Sequence, residues 1–154
     1  MIEVSKVHHL GLTVSNLERS ADFYTSLFGG QVTLQQDKSG GYLAAIVGYP
    51  DTSVRMAHVT LPGTDLVLEL FEYISPRSID RPIEPANIGN PHLCFVVDDI
   101  HVTYDELLKA GVRCLSEPVR IDTGVNTGGA GLYAYDPDGI TMEFFQPPAP
   151  ANRT

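Results

Sequence analysis

Basic residues are scarce in this chain: 10 Lys and Arg stand against 19 Asp and Glu, which gives a formal net charge of −9. No run of Lys or Arg is present that would hold a phosphate backbone, so nucleic acid is not expected as a partner. The two cysteines, Cys94 and Cys114, are too few for a disulfide framework and form no CxxC motif, which fits a reducing compartment. No window approaches the roughly 20 apolar residues of a membrane-spanning helix, and the N-terminus lacks a basic stretch followed by an apolar run. We therefore expect a soluble, cytoplasmic protein that does not associate with membranes.

The chain does contain enough apolar sequence for one core, since 43% of its 154 residues are hydrophobic. A proline-rich stretch at residues 75–90 is unsuited to regular structure and separates two halves. The sequence predicts a single domain over residues 1–148, with a first module at about 6–74, the proline-rich crossing at 75–90 and a second module at about 91–146. Residues 149–154 are predicted to be a flexible tail.

The two halves repeat one another. VHHLGLTV near the start is matched by PHLCFVVD, so that His9 corresponds to His92, and DLVLELF is matched by GITMEFF, so that Glu69 corresponds to Glu143. Large apolar residues alternate along these strand patterns, which places the histidines and glutamates on the opposite face. A carboxylate among apolar neighbours is costly to desolvate without a partner, and a cation is the simplest partner. One histidine and one glutamate from each half therefore predict a four-ligand site for one divalent metal ion.

Hydrophobic periodicity predicts a similar order of elements in both halves. The first helix is predicted to begin at a capping box, Ser15 to Glu18, and to end before Gly29. The first half is predicted to have strands at 7–14, 31–36, 53–61 and 66–73, with a loop or short helix from Gly40. The second half is predicted to have strands at 91–98, 112–115, 132–135 and 140–146, a helix from Asp98 to Gly111 and a long loop at 117–131.

Three stretches, HHLGLTVSNLERSADFY, PHLCFVVDDI and DPDGITMEFFQ, resemble the vicinal oxygen chelate superfamily, the group of glyoxalases, bleomycin-resistance proteins and extradiol dioxygenases. The resemblance covers about residues 7–146. It implies an α+β fold of two tandem βαβββ modules, whose strands form a curled mixed sheet around a metal-binding cup. It also implies that His9, Glu69, His92 and Glu143 are the metal ligands, a pattern closest to glyoxalase I and methylmalonyl-CoA epimerase. By the same analogy we expect a homodimer.

Two imidazoles and two carboxylates form a borderline ligand set that accepts zinc, nickel, cobalt, manganese or ferrous iron. A metal with open positions stabilises the charge that develops on a chelating substrate when a proton leaves the neighbouring carbon. We predict that a glutamate transfers this proton, with Glu143 as the first choice and Glu69 as the second. Arg55 has two predicted roles, one in the substrate pocket and one in a surface ion pair, which is the commoner role of a single arginine. The side chains predicted to line the substrate pocket are Phe71, Phe145, Arg55, His58, Tyr133 and Tyr135.

The leading functional hypothesis is a metal-dependent lyase or isomerase that acts on a small molecule, namely an α-hydroxycarbonyl, a thiohemiacetal or an acyl thioester. The chain departs from the epimerases on its third strand, SVRMAHVTL, which lacks the further acidic base that they carry. The second hypothesis is extradiol cleavage of a catechol with ferrous iron, for which Glu69 as a fourth ligand would crowd a site of two histidines and one carboxylate. The third is a non-catalytic, metal-free binding protein of the bleomycin-resistance type, which needs no ligand set.

Overall fold

The computed structural model describes residues 1–79 and 84–150, and the chain divides into two units, Met1–Arg81 and Pro82–Thr154. Each unit has a four-stranded mixed sheet, and the predicted α+β class and repeated βαβββ order are confirmed. The curling of the strands around a cup and the single domain over 1–148 stay predictions. Residues 80–83 of the predicted crossing and 151–154 of the predicted tail lie outside the described residues. In the described part of the chain, no helix combines the length and the apolar character that crossing a membrane requires.

The first unit places its helix α1 on the apolar face of its sheet. Its elements are β1 (His9–Thr13), α1 (Leu17–Phe28), β2 (Gln31–Ser39), α2 (Gly41–Val47), β3 (Ser53–Thr60) and β4 (Val67–Ser75). The strand order is β1-β4-β3-β2, with β1 parallel to β4 and the other neighbours antiparallel. Leu68 and Leu70 of β4 and Tyr24 of α1 are fully buried, because their apolar surface is removed from water between helix and sheet. Glu69 lies between the two leucines and therefore on the other face.

The second unit repeats this plan. Its elements are β5 (His92–Val96), α3 (Ile100–Lys109), β6 (Val119–Arg120), β7 (Ala130–Tyr135) and β8 (Thr141–Gln146). The strand order is β5-β8-β7-β6, with β5 parallel to β8. Leu107 of α3 and Met142 and Phe144 of β8 are buried, which leaves Glu143 on the other face. In the turn before β8, Asp136 Oδ1 accepts the backbone N–H of Asp138 at 2.9 Å.

Three local predictions are wrong in detail. The N-cap of α1 is Asn16 and not Ser15, because the Asn16 side chain reaches the backbone N–H of Arg19 at 2.8 Å. The strand predicted at 112–115 is only an isolated bridge between Cys114 and Ala134. The loop predicted at 117–131 contains β6, whose two residues pair with β7. A strand of two residues is too short for an alternation pattern, so pairing with its neighbour decides it.

The last strand of each unit also holds the first turn of that unit's helix. Glu72 Oε2 on β4 accepts the backbone N–H of Leu17 at 3.0 Å, and Gln146 Oε1 on β8 accepts the N–H of Ile100 at 2.9 Å. Leu17 and Ile100 begin α1 and α3, where amide groups have no acceptor within the helix. The duplication therefore includes a tertiary hydrogen bond, which ties each helix to the strand that carries a predicted glutamate ligand.

Candidate metal centre

In the first unit, β1 and β4 bring His9 and Glu69 together. The two strands are parallel neighbours, with His9 paired to Val67 and Gly11 paired to Glu69. His9 Nε2 lies 3.3 Å from Glu69 Oε2, and the two side chains are 43% and 16% exposed. The unit therefore presents an imidazole nitrogen and a carboxylate oxygen side by side, on the face opposite the α1 core. Their binding of a metal stays a prediction.

His58 also contacts Glu69, from the other side. It lies on β3 directly opposite Glu69, and its Nε2 atom is 3.0 Å from Glu69 Oε1. Each oxygen of this carboxylate thus faces one imidazole, from His9 or from His58. His58 was predicted as a pocket residue, and the register between β3 and β4 places it opposite Glu69.

The second unit repeats the pair. His92 Nε2 on β5 lies 3.0 Å from Glu143 Oε2 on β8, with side chains 43% and 28% exposed. Cys94 pairs with Glu143 across the parallel strands, and Tyr133 pairs with it from β7. Tyr133 therefore takes the place that His58 takes in the first unit, and its ring centroid lies 5.2 Å from that of His92.

The thiol of Cys94 and the phenol of Tyr133, both beside Glu143, keep their protons at neutral pH. Burial, the charge of Glu143 and a hydrogen bond to it together raise the pKa of the Cys94 thiol to about 11. Burial, followed by the charge of Glu143, raises the pKa of Tyr133. The thiol is a weak hydrogen-bond donor toward Glu143. The sequence predictions omit Cys94 from the site, although strand alternation already places it on the same face as His92.

Of the other predicted pocket residues, Phe71 and Phe145 lie on the faces that carry the glutamates, whereas Tyr135 is buried. Phe71 lies on the Glu69 face of β4, and Phe145 lies on the Glu143 face of β8. Tyr135 is only 5% exposed, and the guanidinium of Arg113 covers its ring at 3.9 Å from the centroid. Tyr135 is therefore too buried to form the mouth of a pocket, whereas the two phenylalanines are in position for an apolar wall.

Arg55 lies on the helix side of the first sheet. It pairs across β3 and β4 with Glu72, and its guanidinium forms ion pairs with Glu72 at 3.1 Å and with Glu18 on α1. The hydrogen bond between Arg55 and Glu18 lowers the pKa of Glu18 and raises that of Arg55. Because neighbouring positions of a strand face opposite ways, Glu72 and Arg55 point away from the face of Glu69. This position corrects the prediction that Arg55 lines the substrate pocket and matches the ion-pair alternative.

The donor spacing in each unit suits a metal ion. Two ligand atoms at about 2.0–2.2 Å from one ion stand roughly 2.8–3.6 Å apart in octahedral or tetrahedral geometry. The nitrogen-to-oxygen distances of 3.3 Å for His9 with Glu69 and 3.0 Å for His92 with Glu143 fall in this range. Within residues 1–79 and 84–150, no group of three or more His, Cys, Asp or Glu side chains forms a ready metal site. Imidazole nitrogen and carboxylate oxygen are nevertheless suitable ligands for a divalent transition metal.

Comparison with known proteins identifies relatives along most of the chain. A sequence model of the Glyoxalase/Bleomycin resistance protein/Dioxygenase superfamily matches residues 6–144. A 2-epi-5-epi-valiolone epimerase from Actinomyces sp is 30% identical over 148 residues, covering 94% of this chain and 81% of that protein. A lactoylglutathione lyase from Neisseria meningitidis serogroup A is 29% identical over 143 residues, covering 90% and 88%. The crystal structure of a glyoxalase family protein from Bacillus cereus matches with a TM-score of 0.82 at 19% identity, covering 96% and 97%, and shows the fold alone.

Proposed function

This chain belongs to the Glyoxalase/Bleomycin resistance protein/Dioxygenase superfamily, and we propose that it is a divalent-metal-dependent lyase or isomerase of the glyoxalase type. Relatives named as an epimerase and as a lactoylglutathione lyase support an enzyme. The proposed reaction removes a proton from the carbon beside a carbonyl group, in an α-hydroxycarbonyl, a thiohemiacetal or an acyl thioester. The observation that carries the proposal is the repeated pair of His9 with Glu69 and His92 with Glu143.

The two pairs are proposed to hold one divalent ion together, with zinc, nickel, cobalt, manganese and iron as candidates. Such an ion, when bound, supplies positive charge that stabilises negative charge on a substrate oxygen. Two features support this assignment. The pairs occupy equivalent positions of the duplicated units, and the nitrogen-to-oxygen distance in each fits two ligands of one ion.

Glu143 is the proposed base. Glu69 has an imidazole at each oxygen, whereas Glu143 has one imidazole, that of His92, and the weak donor Cys94. Glu143 is also the more exposed of the two, at 28% against 16%. A carboxylate with fewer strong donors reorients more freely, as a base that takes up and returns a proton requires. Glu143 is therefore proposed to take the proton from the substrate carbon and return it, while Glu69 stays fixed between its two histidines.

The third strand of each unit supplies a supporting residue in this proposal. His58 stands opposite Glu69 and limits the orientations of that carboxylate. Tyr133 stands opposite Glu143, and its raised pKa keeps its O–H available as a hydrogen-bond donor. His58 thus occupies the strand on which the epimerases carry a further acidic base.

Elemental analysis of the purified protein tests the metal site. We expect one equivalent of metal in the wild type and none in the double variant Glu69→Ala, Glu143→Ala. The matched control is Glu106→Ala on α3, whose carboxylate forms an ion pair with Lys109 and is 61% exposed. That control should keep its metal. A wild type that takes up no metal after incubation with excess nickel, zinc, manganese and iron would overturn the proposal and favour the metal-free binding protein.

Exchange of the substrate proton with deuterated solvent tests the base. Methylglyoxal with glutathione is the first substrate to try, and methylmalonyl-CoA is the second. We expect Glu143→Gln to slow exchange by about 100-fold or more, the usual contribution of a general base, and Glu69→Gln to slow it less at equal metal content. The reverse order would transfer the role of base to Glu69. Ring cleavage of a catechol with ferrous iron and oxygen would instead establish the dioxygenase alternative.

A further inference from the structure

A cavity of about 510 Å³ lies in the first unit, where β1 and β4 end. Its volume falls within the range of about 300–1,000 Å³ that small-molecule sites occupy. None of the pocket residues predicted from sequence lines it. Its wall includes Thr13 at the end of β1, Tyr73 near the end of β4, Tyr49, and the segment after β4 with Arg77, Ser78 and Ile79.

The cavity lies on the same face of the sheet as the first His–Glu pair. Thr13 and Tyr73 are an even number of residues along their strands from His9 and Glu69, so they face the same way. Thr13 is level with Phe71, two residues beyond Glu69, and Tyr73 lies four residues beyond Glu69, so at about 3.3 Å per residue the wall extends from about 7 Å to about 13 Å along the strands from Glu69. Phe71 shares this face, opposite Thr13 in the strand register and between Glu69 and Tyr73 on β4, with its ring centroid 6.1 Å from that of Tyr73.

The charge of the lining is opposite to that of the whole protein. Among the described residues that line the cavity, Arg77 alone is charged, although the chain carries a formal net charge of −9. A guanidinium offers donors in a planar fork that matches a carboxylate or a phosphate. The hydroxyl groups of Thr13, Ser78, Tyr49 and Tyr73 add further donors. This lining suits an organic anion better than a cation or a wholly apolar ligand.

We propose that this cavity binds the anionic end of an elongated substrate, a carboxylate or phosphate group held by Arg77. The connection to catalysis rests on the proposed function, since the reacting carbonyl would lie at the His–Glu pairs. The apolar ring of Phe71 then lies along the middle of the substrate, because Phe71 stands between Glu69 and Tyr73, which are about 13 Å apart along β4. The substrate class is therefore a carbonyl compound with an extended middle and an anionic terminus.

Isothermal titration calorimetry on chelator-treated protein tests the anion site without turnover. The probes are hexanoate, hexyl phosphate and the uncharged hexanamide. We expect at least one of the two anions to bind more tightly than hexanamide, and the tighter of them identifies the charged group that Arg77 prefers. Loss of a hydrogen bond to a charged group corresponds to about tenfold or more in affinity, so Arg77→Gln should weaken anion binding by that factor and leave hexanamide unchanged.

The matched control is Lys109→Gln, which removes the same charge from an exposed position on α3 in the second unit. It should leave anion affinity unchanged. Equal affinity for the anions and hexanamide, or an equal loss in both variants, would overturn the proposal. The variant Ser78→Trp adds a bulky side chain to the cavity wall and should abolish binding of all three probes, so unchanged binding in that variant would also overturn it.

Failure of this site and failure of the proposed function are distinguishable. Anion binding that is lost in Arg77→Gln but kept in the double variant Glu69→Ala, Glu143→Ala supports the cavity whether or not the wild type binds metal. With a turned-over anionic substrate, Arg77→Gln should raise KM about tenfold and leave kcat unchanged, because Arg77 is far from the reacting atoms. A fall in kcat with unchanged KM would overturn the role of Arg77 as a binding residue.

Discussion

The hydrogen bond from Leu17 to Glu72 gives a direct test of how the first unit is held together. Glu72 Oε2 accepts the first amide of α1 at 3.0 Å and also faces Arg55 Nη1 at 3.1 Å. Its side chain is only 17% exposed, so water does not readily replace it as an acceptor. Glu72→Gln keeps an acceptor oxygen and loses the charge, whereas Glu72→Met loses both at a similar volume. The difference between these two variants measures the acceptor oxygen at equal side-chain charge, because both lose the ion pair with Arg55.

The expected loss of stability follows from the position of the Glu72 carboxylate at the N-terminus of α1. Loss of a side-chain acceptor at a helix N-terminus costs about 0.5–2 kcal/mol. We therefore expect Glu72→Met to be less stable than Glu72→Gln by about 1 kcal/mol. In a protein of this size, 1 kcal/mol corresponds to roughly 2–4 °C in Tm. With an m-value of about 1–3 kcal/mol per molar urea, the unfolding midpoint shifts by roughly 0.3–1 M.

Urea unfolding followed by circular dichroism measures this difference, with thermal unfolding as a second readout. The second unit supplies a mirrored pair, since Gln146→Glu keeps the acceptor for Ile100 and Gln146→Met removes it. We expect the same order in both units, with the acceptor-keeping variant the more stable. Equal midpoints for Glu72→Met and Glu72→Gln would refute the reasoning, because they would mean that water or another group satisfies the Leu17 amide equally well.

Two further predictions concern a glycine and a cysteine of the second unit. A Cβ atom at Gly129 would lie 2.6 Å from Gln146 O, so Gly129→Ala should destabilise the protein by about 1–3 kcal/mol in urea unfolding. Gly131→Ala, where the nearest atom is 3.6 Å away, is the control, and equal stability of the two variants would contradict this. Burial raises the pKa of Cys114, so in a Cys94→Ser background its alkylation at pH 8 should be slower in the folded than in the urea-unfolded protein. The gap should close as pH rises above the pKa of the folded thiol, and equal rates at pH 8 would argue against burial of this thiol.

Much of the fold was predictable because the signals are local. Alternation of apolar residues is enough to identify β1 and β4 and to separate Leu68 and Leu70 from Glu69. Helix α1 likewise ends before Gly29, whose φ of 66° suits glycine. The misplaced cap at Asn16 and the unrecognised strand β6 were not predictable in this way. Each depends on which of several neighbouring groups makes a hydrogen bond, and that choice is settled by the surrounding chain.

The candidate site likewise has a part that the sequence predicts and a part that only the structure reveals. Repetition in the sequence identifies His9, Glu69, His92 and Glu143 as equivalent residues, and the structure places each histidine beside the glutamate of its own unit. The sequence did not reveal that His58 faces Glu69, because that contact depends on the register between β3 and β4. Nor did it indicate that Arg55 would turn toward Glu18 and Glu72. Long side chains choose among partners that are distant in sequence, so their roles follow from packing.

The sequence by itself determined the order of the elements and the faces of the strands, because side chains recur with a fixed period along a helix or a strand. It also determined the duplication of the His–Glu pair, which is visible as a repeat in the sequence. Only the tertiary structure decided which side chains meet across strands, since register is set by the pairing of whole strands. It placed His58 and Tyr133 opposite the two glutamates and joined each helix to its last strand. It also formed the cavity at Arg77, whose walls come from the ends of β1 and β4 and the segment that follows. Such a cavity has no sequence period, because the residues around it are brought together only by folding.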